Sequence, residues 1–332
     1  MAIFSKQDPV EEAVQRLLKL GRVTEVESEL QKFRPSRLSG KQRESWYLYW
    51  GIAAFRRGDR AEAFARFSEG HDACPRSEQI AFSLGQEYEA RGEPDRMLKL
   101  FKACTFPRVS AQRLLTAARY CYLWNMLDHA SGFLEPIRAA YFQLGIADDH
   151  FLFMRGLPFF GQTWSCFLCF SVVQGDLTNV EKLTVAARQK LKDFGFSHLE
   201  VMLRCYRNRS FSEKIEALAD DLRNTDPNVP QGYSKTQLAC LRAVATQDPV
   251  EAGQHLDAVS LGAQDFSWLG DVLLVHRAWL AGRANRNEEE ERLLNQFFTK
   301  QPLLLEPDHA ANFALIPYQE KLKIRYQSQR RY

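Results

Sequence analysis

The sequence predicts an all-α protein assembled from antiparallel helix pairs, and three observations lead there. The segments GIAAFRRGDRAEAFARF (51–67) and GQEYEARGEPDRMLKLF (85–101) share one skeleton: an opening glycine, a second glycine seven residues on, and a closing phenylalanine. The second segment begins 34 residues after the first. Between the glycines, apolar residues recur every three or four positions, which is the helical period and not the strand period. With only 18 glycines and 13 prolines in 332 residues, most of the chain is left to regular structure.

In the first unit, residues 46–57 read as one helix, Gly58-Asp59 as a turn, and residues 60–73 as the next helix. Pro75 ends the unit because proline cannot continue a helix interior. The second unit runs over 79–91, turns at Gly92-Glu93-Pro94, and continues over 97–104. Small residues, Gly51, Ala63 and Gly85, stand where paired helices must approach closely; Trp50, Phe67, Leu84, Tyr88 and Phe101 fill the remaining space. One helical hairpin cannot bury both of its faces, so the hairpins are expected to stack.

These two units, 44–77 and 78–111, resemble the tetratricopeptide repeat, whose signature sets bulky, Leu-Gly, Tyr, Gly, Ala, Phe, Ala and Pro positions through 34 residues. The first unit supplies Trp50-Gly51, Gly58, Ala63, Phe67, Gly70 and Pro75; the second supplies Leu84-Gly85, Tyr88, Gly92, Met97, Phe101 and Cys104. Gly70 and Cys104 replace alanine, and Ala54 takes the usual tyrosine place. The resemblance implies a right-handed superhelical solenoid with a concave face lined by the first helix of each unit. In that family the face usually binds a segment of a partner protein. The lysine and asparagine with which the best-known members hold a C-terminal carboxylate correspond here to Leu48 and Ile52, which cannot clamp one.

Later units follow the register more loosely. Ala118, Ala130, Leu134 and Ile137 fit a third, with Asn125 at the turn in place of glycine. Trp164, Phe167, Gly175 and Ala187 suggest a fourth, after an irregular stretch near 140–161. Leu199, Met202, Leu203, Tyr206, Ile215, Ala219 and Pro227 outline a fifth, and Ala239, Ala252 and Leu256 a sixth. The second helix of the sixth starts at Asp248-Pro249, a favourable cap and first-turn pair. Leu274, Ala278, Leu294, Phe297 and Pro302 outline a seventh, and residues 9–33 read as a further hairpin turning at Gly21. The expected organisation is an N-terminal hairpin (1–43), about seven repeats (44–306), and capping helices with a basic tail (307–332).

Projected by the same register, the inner face presents Gln86 and Glu89, then Arg119 and Tyr122, then Glu200, Arg204 and Arg207, and finally Trp279. Arginine and aromatic side chains are favoured anchors of protein interfaces. The competing reading is that Arg204 and Arg207 pair with Glu200 and neighbouring acids on a solvated face.

A formal charge of +3 is too small to argue for nucleic acid or membrane from the whole molecule. The start, MAIFSKQDPVEEA, lacks the apolar run of a secretory signal. Seven scattered cysteines read as reduced thiols, so the expected location is cytoplasmic. The apolar stretch 151–173 is interrupted by Arg155, Pro158, Gly161 and Gln162; it reads as a buried helix rather than a bilayer span. No catalytic, cofactor or metal site is expected. Cys166 and Cys169 form a CxxC with no second ligand pair, and read as small packed residues. Asp148-Asp149-His150 reads as a loop or cap, and no phosphate-loop, dinucleotide, nucleophile-elbow or zinc-protease motif occurs.

Near the end, Asp308 is expected to open a last hairpin and Pro317 its second helix. The final stretch QEKLKIRYQSQRRY carries five basic residues against one acid. It suits either phosphate contact or a polar cap on the last helix, and the cap is favoured. Two function classes follow: a non-enzymatic adaptor or scaffold for a protein or peptide, and a nucleic-acid-associated repeat protein using Arg119, Arg204, Arg207 and the tail.

Overall fold

The structure, a computed structural model, describes residues 8–104, 110–143, 166, 169, 170, 173, 231–263, 265–299 and 318–330. Those residues form thirteen α-helices and one short 3-10 turn, with no strand among them. Contacts divide the chain into two units, Met1–Cys121 with Gln329–Tyr332, and Tyr122–Ser328.

In the first unit the helices are α1 (Pro9–Lys19), α2 (Val23–Leu30), α3 (Gly40–Arg56), α4 (Arg60–Ala73), α5 (Glu78–Ala90), α6 (Pro94–Lys102) and most of α7 (Ala111–Leu123). Side-chain oxygens start four of them: Asp8, Ser39, Asp59 and Ser77 each accept a first-turn backbone N–H, and Ser39 forms a full capping box with Gln42. From α1 to α6 each helix packs on the next, and first helices also meet across hairpins, α1 on α3 and α3 on α5. The α1–α2 hairpin is therefore part of this stack; Val10, Val14, Val26 and Leu30 form one core with Trp46 and Ala53 of α3. The Trp46 indole N–H, deep in that core, donates to the Leu30 carbonyl at 2.9 Å.

The glycines at 51 and 85 do what the repeat pattern expects. A methyl group on Gly51 would lie 2.6 Å from Phe67 Cδ1 and 2.7 Å from its Cζ. One on Gly85 would lie 2.5 Å from Phe101 Cε1. Ala63, Phe67 and Phe101 are buried, Pro75 sits in the turn between α4 and α5, and Tyr88 meets Phe64 edge-on at 5.4 Å.

The turns repeat as well. Gly21, Gly58 and Gly92 adopt positive φ, and in each case the next helix begins two residues later. The N–H groups of these glycines donate to the carbonyls of Leu18, Phe55 and Glu89. Those of Arg22, Asp59 and Glu93 reach back to Leu17, Ala54 and Tyr88. This is the Schellman pairing, which satisfies carbonyls that a helix end leaves open.

The second unit contains α8 (Leu127–Gln143), α9 (Gln231–Ala245), α10 (Pro249–Asp257), α11 (Leu269–Arg283), α12 (Asn287–Phe298) and most of α13 (Gln319–Arg330). Asn125 (φ 58°) and Asn285 (φ 56°) occupy the same turn position as the glycines, again two residues before a helix. Asn285 repeats both Schellman bonds, to Gly282 from its own N–H and to Ala281 from that of Arg286. Asp248 caps α10 and Pro249 opens it, as expected. Helix α9 packs on α10 and α11, and α11 packs on α12.

Candidate functional site

The projected inner-face residues do not share one environment. On α5, Gln86 is half-buried, but Glu89 is buried to 3% exposure, so its expected display to solvent is corrected. Helix α5 lies against α3, α4 and α6, and Ile80, Phe82, Leu84 and Glu87 are buried with Glu89. The solvent-reached side of α5 is the stripe Gln79, Ser83, Gln86 and Ala90. On α7, Arg119 is half-buried, whereas Tyr122 is completely buried, a second correction. The Tyr122 ring stacks on Phe170 at 5.3 Å, and its hydroxyl accepts from the Cys169 thiol at 3.3 Å. The Lys323 ammonium lies 4.6 Å over the same ring. Trp279 is half-buried under the Arg283 guanidinium at 4.9 Å. Glu200, Arg204 and Arg207 lie outside the described residues. Leu48 is buried and Ile52 half-buried.

A set of arginine–aromatic stacks in the first unit escaped the sequence reading. Arg66 covers Trp50 at 5.0 Å and is also held by Glu62 and Glu69. Arg91 lies 3.8 Å over Phe64, and Arg96 lies 5.5 Å over Tyr88. Trp50, Phe64 and Tyr88 are half-buried; Arg91 and Arg96 are exposed. Arg66 and Arg96 come from the partner helix of the same hairpin and Arg91 from the end of the next helix, so helix packing brings them over the rings. Beside them, Arg60 pairs at 3.2 Å with Glu87, which is 2% exposed. Burial raises the Glu87 carboxyl above its ordinary value, and Arg60 and Arg91 offset part of that shift.

Among the described residues, burial rather than activation marks the thiols. Burial pushes Cys104 and Cys121 up to about 12, and Cys240 well above its ordinary value. Cys166 and Cys169 are both fully buried. Among the described residues no group of three His, Cys, Asp or Glu side chains could hold a metal ion. Asp148, Asp149 and His150 fall outside those residues. No described helix is long and apolar enough to cross a membrane.

Residues 319–330 of the basic end are not a free tail: they form α13, whose charges meet other helices. Lys321 pairs with Glu290 at 2.6 Å, and Arg325 with Glu291 at 2.6 Å. Lys323 is 2% exposed and donates to Asn125 Oδ1. Gln327 Nε2 donates to the Leu123 carbonyl at 2.7 Å. Within the first unit, Arg330 donates to the Ala90 carbonyl at 3.3 Å. Four of the five basic residues are thus engaged within the chain, and Asp308, Pro317 and Arg331 lie outside the described residues. Protein-family models and curated proteins provide no match to this chain.

Proposed function

We propose that the protein is a non-enzymatic scaffold that holds a segment of another protein on a tetratricopeptide-like superhelix. The observation that carries this reading is the recurrence of one hairpin unit. The same Schellman turn closes it at Gly21, Gly58, Gly92 and Asn285, and the same glycine–phenylalanine approach packs it at Gly51 and Gly85. Hairpins of this kind stack through neighbours and generate extended faces rather than a single deep site. The anchors on offer suit a protein partner: half-buried Gln86, Arg119 and Trp279 on first helices, with the exposed arginines over Phe64 and Tyr88.

The test is capture of partners from the native cell by the full chain, with and without nuclease, at low and high salt. A protein held by apolar and aromatic contacts stays bound as salt rises and survives nuclease. Recovery that collapses with either treatment would instead favour phosphate-driven binding. Within the captured complex, Arg204→Glu with Arg207→Glu is expected to weaken binding while leaving the melting temperature nearly unchanged. A melting temperature that falls with binding would place both arginines in the packing rather than on the face.

A further inference from the structure

Helix α13 carries its polar groups in stripes. Tyr318, just before the helix, with Lys321 and Arg325, follows an i, i+3, i+7 spacing that puts all three on one side. They meet α12: the Tyr318 hydroxyl donates to Glu290 Oε1 at 2.5 Å, and Lys321 Nζ reaches the same oxygen at 2.6 Å. Arg325 donates to Glu291 and Asn295 and lies 5.6 Å over the Phe298 ring. A second stripe meets the end of α7. Lys323 contacts Asn125 and the face of Tyr122, Tyr326 meets Trp124 edge-on, and Gln327 donates to the Leu123 carbonyl. Ile324 and Ser328 form the outer side, where Ile324 is 59% exposed. Glu320, also exposed, borders the second stripe, accepting from Asn125 Nδ2 at 3.4 Å and pairing with Lys323 at 3.3 Å.

Two features set this docking apart from an ordinary core contact. On its own side α13 buries few apolar groups, Leu322 and the rings of Tyr318 and Tyr326, beside the buried polar Gln319 and Lys323. It also contains a mismatch. Gln319 is 1% exposed, yet neither its amide nitrogen nor its amide oxygen has a hydrogen-bond partner. A buried amide left unpaired works against the docked state. Tyr122, which the repeat register projects toward a partner, is one of the groups α13 covers.

We propose that α13 is a displaceable intramolecular ligand, and that the surface beneath it is a receptor for a basic helix of a partner protein. The chemistry of the occupant defines the partner. It presents a hydroxyaryl group and two cations along one side to Glu290, Glu291 and Asn295. A further cation on the adjoining side enters over Tyr122 beside Asn125. This inference rests on the scaffold reading and adds to it the class of ligand and a means by which the chain regulates its own site.

The experiment uses the full chain and a fluorescein-labelled peptide of residues 318–330, with a control peptide carrying glutamate at the positions of Lys321, Lys323 and Arg325. In the Lys321→Glu/Arg325→Glu variant, amide exchange over α13 is expected to accelerate about tenfold, with α4 and α5 unchanged. The peptide is then expected to bind this variant about tenfold more tightly than the original chain, because apparent affinity follows the open fraction. The control peptide is expected not to bind. The opposite change comes from Gln319→Leu, which removes the unpaired amide; it is expected to slow exchange in α13 and weaken peptide binding. Faster exchange with no gain in peptide affinity overturns the receptor, and so does equal binding of the two peptides. Loss of protection throughout the chain, or a Gln319→Leu variant with unchanged exchange and affinity, makes α13 a fixed strut. Those failures leave the scaffold reading standing, since partner capture and the Arg204/Arg207 variant test it independently.

Discussion

Gly51 and Phe67 occupy space that admits no additional atom, and Gly85 with Phe101 repeats the arrangement one unit later. Gly51→Ala is expected to lower stability by about 1–3 kcal/mol through overpacking, and Gly51→Leu by more. Coupling identifies the cause: Gly51→Ala combined with Phe67→Leu should cost less than the sum of the two single changes in denaturant melts. Additive costs would show that the ring is not the obstacle. Glu87 offers a test by pH. Its raised carboxyl binds a proton more tightly in the folded chain than in the unfolded one. The stability this contributes is present below the unfolded value near 4.5 and is lost as pH rises through the folded value. Relative to Glu87→Gln, the original chain should therefore lose stability from about pH 4.5 upward. Parallel melting curves for the two proteins would contradict this. The thiols make a third case: near neutral pH, half-buried Cys74 should alkylate before Cys104, Cys121, Cys166, Cys169 and Cys240, as read by peptide mass mapping.

Single turns decide the hairpins at the scale of the element. Gly58 has φ 88° with open space around its Cα, so backbone strain alone governs substitution there. Gly58→Ala should cost about 1 kcal/mol, in line with the left-handed penalty for a side chain. Asn285 has the same role at φ 56°. Asn285→Gly should be tolerated within about 0.5 kcal/mol, while Asn285→Ala should cost about as much as Gly58→Ala. Equal stability of the glycine and alanine variants at 285 would show that this turn does not need a left-handed residue. The glycine turns were legible in the sequence because glycine at that spacing has few other reasons to recur. Asn125 was legible only through the register, and Asn285 was overlooked because asparagine has many roles in loops.

For the whole molecule, stacking through nearest neighbours explains the contacts of α1 to α6 and of α9 to α12. Helix α13 departs from that rule within the second unit. It touches both α12 and the end of α7, nearly 200 residues earlier in the chain (|i−j| = 198 for Lys323 to Asn125). In a simple linear array each repeat meets only its neighbours. A far-ultraviolet circular dichroism spectrum of the chain should be helical, and a strand-dominated spectrum would overturn the architecture described here.

By itself the sequence determined the helical class, the succession of α3 to α6, the bounds of α4 and α5 to within one residue, the glycine turns and the close approach at Gly51 and Gly85. Each of these depends on neighbours within one hairpin, where period, turn residues and side-chain volume act over a few tens of residues. The other bounds differ: α3 starts at Gly40 rather than 46, and α6 runs over Pro94–Lys102 rather than 97–104. Which polar groups stay free was decided by tertiary structure alone. Glu89 and Tyr122 stand at inner-face positions by register, yet Glu89 is buried on an α5 that packs against three helices, and Tyr122 lies beneath Lys323 and against Phe170. The basic C-terminal stretch looks exposed in sequence, but acids on α12 and a carbonyl at the end of α7 take up its charges and amides. Periodicity records which side of a helix is apolar. It carries no record of a distant helix that comes to cover the polar side.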